Sequence, residues 1–397
     1  MSTWANAALG DLLADATPGF ACGEDVEDGV FQFRMNNITA EGRLDLGKRR
    51  RVPKDYRNID RFLLQPGDVL FNATNSPDLV GKSAFFPGLE EPATLSNHFL
   101  RLRSRNGELD GRYLARWLNL QFVRGQFKGM CRQWVNQATV GRDALMSLRI
   151  PLPSLSEQRR IAGILDKADV LRVTRRQAIA QLNTLTECIF LDMFGDPATN
   201  ANCFLSARLD ALIREGDSIN YGVVQPGEDC EGGVPLIRVG DLQDGKVEHS
   251  SLKRISPSIE SAYKRSRLRG DEILISCVGS TGMIALADES IRGFNVARAV
   301  ARVPLAESID RTYVASYLQT ASVQRYFQNE LRTVSQPTLN IKQISETVVL
   351  VPPLNQQREF ARRVDAVNRL RDRERESLVG LDSMFASIQA HAFRGEL

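Results

Sequence analysis

Residues 158–162 read Gln-Arg-Arg-Ile-Ala, and residues 357–361 repeat them as Gln-Arg-Glu-Phe-Ala, 199 positions later. Further pairs match at this offset or close to it: Pro153 with Pro352, Asp166 with Asp365, Gln137 and Thr139 with Gln336 and Thr338, Tyr113-Leu114-Ala115 with Tyr313-Val314-Ala315, and Phe31-Gln32-Phe33-Arg34 with Pro235-Leu236-Ile237-Arg238. Small shifts between the pairs are what loop insertions produce. We therefore predict that one folding unit, about half of the chain, occurs twice in tandem.

Each copy ends in a long stretch with apolar residues three and four positions apart, residues 156–194 and 355–393. This spacing is typical of a coiled coil, because it places a narrow apolar seam along one side of a helix. Helices of about 55–60 Å exceed the span of a 150-residue domain, so we expect them to pair with each other, antiparallel. The predicted pairing residues are Ile161, Leu165, Leu171, Leu182, Leu185 and Ile189 in the first helix and Phe360, Val364, Leu370, Leu381 and Ile388 in the second. Charged residues at 175–176 and 373–376 interrupt both seams and could fix the register.

The remaining three quarters of each copy consists of short apolar or alternating runs bounded by turn residues, which are strand signals. These runs are residues 30–35, 68–71 and 99–103 in the first copy and 235–239, 272–276 and 299–303 in the second, and helical patterns follow at 113–127 and 313–327. The predicted fold class is α+β, with two tandem, mostly-β domains, each followed by a long helix, in a pseudo-twofold arrangement. The predicted boundaries are 1–153, 154–197, 198–352 and 353–397.

The composition is that of an ordinary globular protein. Of 397 residues, 43% are hydrophobic and 25% charged, which excludes disordered and fibrous classes. Lys and Arg number 51 against 48 for Asp and Glu, so a surface for a polyanion must come from local clustering. The chain has no apolar run of about 18 residues and no signal-peptide pattern. We therefore expect a cytoplasmic protein whose six cysteines are reduced.

The sequence predicts neither a catalytic site nor a metal site. The three histidines lack metal or triad spacing, and the cysteines lie far apart without a CxxC. Residues 76–83 resemble a phosphate-binding loop, but Ser76 occupies the position of its first glycine, and residues 280–283 of the second copy lack the lysine. We interpret both as turns between strands, and we expect the chain itself to bind no metal and no cofactor.

Two kinds of side chain point to contact with a nucleic acid. A basic cluster suited to phosphates comprises Lys48, Arg49, Arg50, Arg51 and Lys54, with Lys253 and Arg254 at the equivalent place in the second copy. Polar side chains suited to base edges lie at predicted loop ends: Asn36, Asn37, Asn75, Ser76, Lys82, Asn97, His98 and Gln137, then Arg238, Ser280, Thr281, Arg298, Gln336 and Thr338. Taken singly, each is also compatible with an ordinary exposed loop position. Because these loops differ while the frameworks agree, we predict that the two copies read different sequences.

The helical regions resemble a known family. Residues 150–166 read Ile-Pro-Leu-Pro-Ser-Leu-Ser-Glu-Gln-Arg-Arg-Ile-Ala-Gly-Ile-Leu-Asp, and residues 190–197 read Phe-Leu-Asp-Met-Phe-Gly-Asp-Pro. Both are similar to the conserved-region helix of type I restriction-modification specificity subunits, and residues 351–358 and 268–275 fit the same pattern. The resemblance covers essentially the whole chain. The second copy departs from the pattern at Asn355-Gln356 and lacks the Phe-Gly-Asp-Pro ending.

The resemblance implies two target recognition domains, each reading one half of a split double-stranded DNA site in a host-defence system. It implies helices that set the spacing and dock two methyltransferase (modification) subunits, joined by motor-nuclease (restriction) subunits. The partner subunits would use S-adenosylmethionine, ATP and Mg²⁺ for adenine-N6 methylation and cleavage, and this chain would be non-catalytic. With about 34 Å per B-DNA turn, we expect a non-palindromic site with an unread gap of about 5–8 base pairs.

Three other interpretations stay open at this stage. A DNA-binding or architectural protein on the same platform, without a methyltransferase partner, would bind a defined duplex tightly by itself. A nuclease or ATPase hidden in the strand domains would show activity of the isolated chain with Mg²⁺ or ATP. A purely structural coiled-coil scaffold would leave two domains with divergent loops unexplained.

Overall fold

The computed structural model describes residues 4–56, 58–105, 107–133, 137–333 and 337–397. The chain forms two compact units. Unit 1 consists of Met1–Arg176 with Ser377–Leu397, and unit 2 consists of Gln177–Glu376. Each unit therefore contains one mostly-β domain together with part of each of the two long helices.

Unit 1 is built around a four-stranded antiparallel sheet. The strands of the unit are β1 (Asn6–Ala8), β2 (Leu13–Pro18), β3 (Val30–Phe33), β4 (Arg51–Val52), β5 (Val69–Asn72), β6 (Thr74–Asn75), β7 (Ser83–Phe85), β8 (Ala93–Leu95), β9 (Phe99–Ser104), β10 (Arg132–Gln133), β11 (Ala138–Thr139) and β12 (Arg149–Pro151). Its helices are α1 (Leu9–Leu12), α2 (Gly111–Val123), α3 (Gln126–Met130), α4 (Arg142–Met146) and the first part of α5 (Leu155–Phe194). The main sheet has the order β2-β9-β5-β7, and a second sheet has the order β4-β3-β8 with β3 and β8 parallel.

The central strand β5 is buried along its whole length. One face of the sheet packs against Tyr113 and Trp117 of α2. The other face packs against Phe33 and Phe86. The sequence of a strand covered on both faces is continuously apolar rather than alternating. This is why the apolar run at residues 68–71 predicted strand β5.

Unit 2 repeats this architecture. Its strands are β13 (Leu205–Arg208), β14 (Asn220–Tyr221), β15 (Val234–Ile237), β16 (Leu242–Gln243), β17 (Lys246–Val247), β18 (Lys253–Ile255), β19 (Ile273–Ser276), β20 (Ile284–Leu286), β21 (Asn295–Val296), β22 (Val300–Val303), β23 (Arg332–Thr333), β24 (Pro337–Thr338) and β25 (Val348–Val351). Its helices are α6 (Pro257–Ser261), α7 (Arg311–Leu318), α8 (Ala321–Asn329), α9 (Ile341–Glu346) and the first part of α10 (Leu354–Ala392). The sheet order β14-β22-β19-β20 corresponds to β2-β9-β5-β7, and β18-β15-β21 corresponds to β4-β3-β8. The predicted duplication is confirmed.

The helical pattern late in each copy forms two helices rather than one. In unit 1, α2 ends before Gly125, whose φ of 73° lies in the left-handed region that favours glycine. The chain turns there before α3 begins. In unit 2 a break at Gln319 and Thr320 separates α7 from α8. The predictions of single helices over 113–127 and 313–327 therefore need this correction.

The long helices pack together antiparallel within unit 1. Near the start of α5, Arg160 donates a hydrogen bond to the Leu397 carbonyl (3.1 Å). Further along α5, Arg172 pairs with Asp382 of α10 (2.6 Å). Rising residue numbers in one helix thus meet falling numbers in the other. Ile161 and Leu165 are fully buried, and Ile388 packs against the same core, as predicted.

Unit 2 pairs the end of α5 with the start of α10. Phe190 and Phe194 contact Phe360 with ring centroids 5.6 Å and 5.5 Å apart. Val364 is buried in this core and Ile189 packs against it. The prediction that the two long helices pack together is confirmed, and Ile189, Phe360 and Val364 lie in this core.

The predicted seam is only partly covered in the middle of the helices, although Leu182, Leu185 and Leu370 line one common cavity there. Leu171, Leu185 and Leu370 are 54%, 40% and 45% exposed, and Leu182 and Leu381 are only half-buried. The helices bury their apolar residues where the β domains pack against them. Between those places, ion pairs such as Arg172–Asp382 replace apolar contacts.

Within the described ranges, no helix is long and apolar enough to cross a membrane.

Candidate nucleic-acid interface

Three segments of unit 1 meet at one exposed end of its sheets. The chain leaves β3 at Arg34 and leaves β8 at Ser96, and the Ser96 amide donates to the Phe33 carbonyl (2.9 Å). The Thr74 amide, at the start of β6, donates to the His98 carbonyl (3.1 Å). We call the side chains of Arg34, Arg50, Asn75, Asn97 and His98, which these segments and the neighbouring strand β4 bring together, the unit 1 polar corner.

The unit 1 polar corner surrounds a cavity of about 110 Å³. Its lining residues are Phe20, Ala21, Cys22, Gln32, Arg34, Met35, Arg50, Ser96, Asn97 and His98. The wall is fixed, since buried Gln32 donates to the Phe20 carbonyl (3.0 Å). The Ser96 hydroxyl is buried and has no hydrogen-bond partner among the described residues. The cavity thus combines an apolar wall with polar groups available to a ligand.

Two side chains of the corner, His98 and Arg34, have hydrogen-bonding groups that are available to a ligand. Burial, and secondarily the positive charge of Arg34, lower the pKa of His98 below its usual 6.5. The imidazole is therefore neutral at pH 7 and offers one donor and one acceptor. Arg34 is exposed, and its guanidinium makes no hydrogen bond or ion pair with a described residue. A free guanidinium next to a neutral imidazole and the Asn97 amide can bond to the edge of a nucleobase.

Two predicted DNA contacts are wrong, because their side chains are buried inside unit 1. The Asn37 amide donates to the Asp45 and Lys48 carbonyls (2.8 Å each) and accepts from the Arg34 amide (2.9 Å). The Lys82 ammonium donates to the Met35 and Ile38 carbonyls (3.0 and 2.6 Å). Both side chains hold the loop at residues 34–48 in place and present nothing to the surface.

The basic cluster is less positive than its sequence suggests. Arg49 and Arg51 both pair with Glu91, and Lys54 pairs with Asp28 (2.6 Å). Arg50 donates to the Cys22 and Glu24 carbonyls (2.7 and 2.9 Å), which turns it toward the cavity. Exposed Lys48 makes no side-chain bond with a described residue. Most of these cations are exposed but are bound to partners of their own.

The other predicted residues of unit 1 lie along β6 and β11. The Asn75 amide donates to the Asn72 side chain (2.6 Å), and its oxygen accepts from the Ser76 amide (2.8 Å). Gln137 is exposed directly before β11, which pairs with β6. Asn36 is exposed next to Arg34. Asn75 belongs to the polar corner, and Ser76, Gln137 and Asn36 lie next to the segments that form it.

Unit 2 has an equivalent corner with different side chains. The Ala297 amide donates to the Ile237 carbonyl (2.9 Å), as Ser96 does to Phe33. Arg298 and Ala299 therefore occupy the places of Asn97 and His98. The Arg298 amide donates to the Val223 carbonyl (2.8 Å), whereas its exposed guanidinium makes no hydrogen bond or ion pair with a described residue. We call Arg238, Ser280, Thr281, Arg298 and Thr338 the unit 2 polar corner.

Three predicted basic residues of unit 2, Arg238, Lys253 and Arg254, are bonded within the unit. Arg238 makes two bonds to Asp241 (3.1 Å each). Lys253 donates to the Gly227 carbonyl and Arg254 to the Gly233 carbonyl. Ser280 is exposed, Thr281 and Thr338 are half-buried, and Thr338 is bridged to Val278 of the neighbouring segment. Gln336 lies outside the described residues.

Sequence reasoning did not single out Arg34, which the structure places as an exposed side chain of the unit 1 polar corner. The repeat contains a signal for Arg34, because it aligns Arg34 with Arg238, a residue that the sequence predicts to face base edges. Both residues precede a short 3₁₀ turn, and both backbone amides donate to the side chain three positions later.

No group of three or more His, Cys, Asp or Glu side chains that could hold a metal occurs among the described residues.

The chain therefore belongs to a class of proteins that contain two equivalent β domains and two long helices that pack together. The exposed polar corners of the two domains differ in chemistry. The family model of the type I restriction modification DNA specificity domain matches residues 1–184 and 216–378. The chain belongs to this family. Its relatives are named as specificity subunits, the non-catalytic components of type I restriction systems.

Three such relatives span most of the chain. The specificity subunit of the type I restriction enzyme EcoBI from Escherichia coli is 28% identical over 98% of this chain and 85% of its own length. That of EcoKI from E. coli strain K12 is 22% identical over 94% and 83%. The putative MjaX specificity subunit from Methanocaldococcus jannaschii is 22% identical over 92% and 87%.

Two solved structures share the fold. A chain from a structure of type I R-M system assembly and conformational transition superposes with a TM-score of 0.58 at 18% identity, covering 99% of this chain and 98% of that one. The type I restriction-modification S subunit from M. genitalium superposes with a TM-score of 0.57 at 17% identity, covering 98% and 96%.

Proposed function

We propose that this chain reads a bipartite, asymmetric site in double-stranded DNA for a type I restriction-modification complex, with one half-site for each polar corner. The observation that carries the proposal is the pair of equivalent corners with different chemistry. Arg298 in unit 2 replaces Asn97 in unit 1 on matching backbone. Equivalent platforms with different side chains would bind the same kind of ligand and select different sequences.

In unit 1 we assign base reading to Arg34, Asn97 and His98. Arginine bonds to the O6 and N7 atoms of guanine and asparagine to the N6 and N7 atoms of adenine, and each such pair discriminates by about 1–3 kcal/mol. Phosphate contact falls to Lys48, which has no partner among the described residues, and to Arg49 if it exchanges Glu91 for DNA. The Ser96 hydroxyl would bind the same base edge or a bridging water.

In unit 2 Arg298 is the principal base-reading residue. Ser280, Thr281 and Thr338 supply hydroxyls beside it. Arg238 is held by Asp241, which fixes its direction and leaves it less free to reach a base. Unit 2 is therefore expected to favour a guanine where unit 1 presents an amide and an imidazole.

The remaining parts of the proposal concern the complex. The segments 1–153 and 198–352 would act as recognition domains, and the helices in 154–197 and 353–397 as the spacer and the docking surface for two methyltransferase subunits. S-adenosylmethionine, ATP and Mg²⁺ would be used by partner subunits, including a motor-nuclease. Within each unit α5 packs against α10, and this packing supports the role that the proposal gives to the helices.

The test is methylome sequencing of a host that carries this chain with its methyltransferase. We expect a split, non-palindromic, adenine-methylated motif with an unread gap of about 5–8 base pairs. The variant N97A/H98A should relax one half of the motif, and R298A should relax the other half. A continuous motif, or a variant that relaxes both halves together, contradicts the assignment. Tight binding of the chain to a duplex without any methyltransferase association would favour an architectural protein instead.

A further inference from the structure

A buried ion-pair network lies where α5 and α10 meet in unit 1. Arg172 bonds to Asp382 (2.6 Å) and to Asp169 (2.9 Å), and its guanidinium stacks 4.2 Å from the centroid of the Phe385 ring. Arg116 approaches Asp169 as well. Two carboxylates and an aromatic face therefore satisfy the Arg172 side chain.

The duplication identifies the corresponding positions in unit 2. The register is fixed by the Gln158 side chain, which accepts from the Asp110 amide (2.8 Å), and by Gln357, which accepts from the Asp310 amide at the same distance. Applying the offset of 199 positions, Arg172 corresponds to Arg371. Its two carboxylates and its aromatic partner correspond to three neutral residues, Asn368, Asn183 and Thr186.

Arg371 has the same charge as Arg172, but the residues at the positions of the Arg172 partners are neutral. Its Nε atom is buried without a hydrogen bond, and its guanidinium makes no ion pair with a described residue. The nearest carboxylates are engaged elsewhere, since Asp244 binds Arg375 and Asp372 binds Lys246 (2.7 Å each). Arg371 is half-buried, and leaving its buried Nε–H without an acceptor costs free energy that a bound anion would recover.

A cavity of about 670 Å³ opens at Arg371. Neutral polar side chains, Asn183, Asn368, Ser316 and Gln319, line it together with an apolar wall that includes Ile284, Leu286 and Val364. The other charged side chains of the lining already have partners: Lys246 with Asp372, Arg311 with the Gly270 and Ala287 carbonyls, Asp244 with Arg375, Asp288 with Ser290 and Asp365 with Arg369. Its volume lies within the range of about 300–1,000 Å³ for small-molecule sites.

We propose that this cavity of unit 2 binds a small organic anion whose carboxylate or phosphate group pairs with Arg371. Arginine presents a planar fork that matches both oxyanions. The amides of Asn183 and Asn368 would bond to the same group, and the apolar wall would cover the uncharged part of the ligand. The proposal is independent of DNA reading, because none of these residues belongs to a polar corner.

The test is isothermal titration calorimetry of the full chain with inorganic phosphate, adenosine monophosphate and succinate as separate probes. We expect one saturable site per chain for at least one probe. Stronger binding of succinate identifies a carboxylate site, and stronger binding of the phosphates identifies a phosphate site. The variant R371M should weaken binding at least tenfold, whereas the matched variant R172M in unit 1 should leave it unchanged.

A second variant restores the chemistry of unit 1. In N183D/N368D the two carboxylates return to the positions that hold Arg172 in unit 1, so we expect loss of anion binding with an unchanged or raised melting temperature. Circular dichroism reports whether each variant is folded. No saturable site for any probe, or binding that R371M and folded N183D/N368D both leave intact, overturns the proposal.

Discussion

The rings of Tyr113 and Phe393 pack with their centroids 5.1 Å apart, although 280 residues separate them in the chain. Tyr113 lies in α2, and Phe393 directly follows the last residue of α10. Unit 2 repeats the contact between Phe194 and Tyr313 at 4.9 Å. The end of each long helix is therefore part of a domain core as well as part of a helix pair.

Truncating Phe393 should destabilise unit 1. F393A removes a buried ring and leaves a cavity, and such substitutions cost about 3–5 kcal/mol. Urea unfolding followed by tryptophan fluorescence measures this, because Trp4 and Trp117 lie in unit 1 and the sequence of unit 2 contains no tryptophan. The variant F393L retains most of the volume and should lose clearly less. Equal stability of F393A and the parent chain would show that the C-terminal segment is not part of the core.

Removing the charge of Asp382 should weaken the helix pair of unit 1. Asp382 accepts from Arg172 (2.6 Å) and Arg176 (3.1 Å), so D382N leaves two arginines with one carboxylate fewer. We expect a loss of about 1–2 kcal/mol, since hydrogen bonds to charged groups exceed neutral ones and Asp382 is partly exposed. The difference should shrink in about 1 M salt.

The matched control for D382N is E289Q, which breaks the exposed pair with Arg292. Water screens a pair this exposed, so urea unfolding should detect little change. A D382N variant as stable as E289Q would mean that the Arg172 network does not hold the helices together.

Replacing Arg34 should raise the pKa of His98. Burial and the charge of Arg34 both lower that pKa, and R34M removes only the charge. Protonation of the imidazole then becomes easier, so the pKa should move up toward 6.5 while remaining below it because of burial. The pH titration of the His98 ring signal in NMR spectra measures the shift. R50M, at another residue of the same cavity, should leave the pKa unchanged, and an equal shift in both variants would contradict the assignment.

Unit 2 should lose stability in acid through Asp217. Arg302 is buried and bonds to both Asp217 oxygens (2.8 and 2.9 Å) and to Glu272 (2.9 Å). Burial alone would raise the Asp217 pKa, but hydrogen bonds from Arg302 and the Ser218 amide outweigh it and hold the pKa below 3.8. The folded carboxylate resists protonation more than the unfolded one, so its stabilisation is present above about pH 4 and is lost as the pH falls through the folded pKa.

Thermal unfolding followed by circular dichroism between pH 7 and pH 2 tests this dependence. D217N should be less stable at pH 7, and its melting temperature should fall less steeply below pH 4. D28N, which breaks the exposed pair with Lys54, should follow the parent chain. Parallel curves for D217N and the parent chain would rule out a role of Asp217 in the acid response.

Local patterns predicted the strands and the ends of the helix pairs because those residues are buried, and burial on one or both faces leaves an apolar period in the sequence. The runs at 68–71 and 272–276 became β5 and β19, which are covered on both faces. The same patterns did not indicate that side chains in the middle of the helices, such as Leu171 and Leu370, stay 54% and 45% exposed. Periodicity shows which side chains share a helix face, and it contains no information on what covers that face.

In the polar corners too, the sequence pattern does not indicate whether a given polar side chain is buried or exposed. Asn37 and Asn97 have the same amide and both follow a strand, but Asn37 is enclosed by the loop it supports and Asn97 is exposed. The burial of Lys82 depends on carbonyls more than 40 residues away. A sequence specifies which functional groups are present, whereas their hydrogen-bond partners depend on long-range packing.

The sequence by itself determined the duplication, the α+β architecture and the family, because repeated spacing and apolar period are written along the chain. Only the tertiary structure decided that each long helix ends inside a domain core, that Arg34 is free while Arg50 is bound, and that Arg371 lacks the carboxylates that Arg172 has. The reason is physical: a side chain's burial and charge compensation are set by neighbours that the chain brings together from distant positions, and no local pattern contains them.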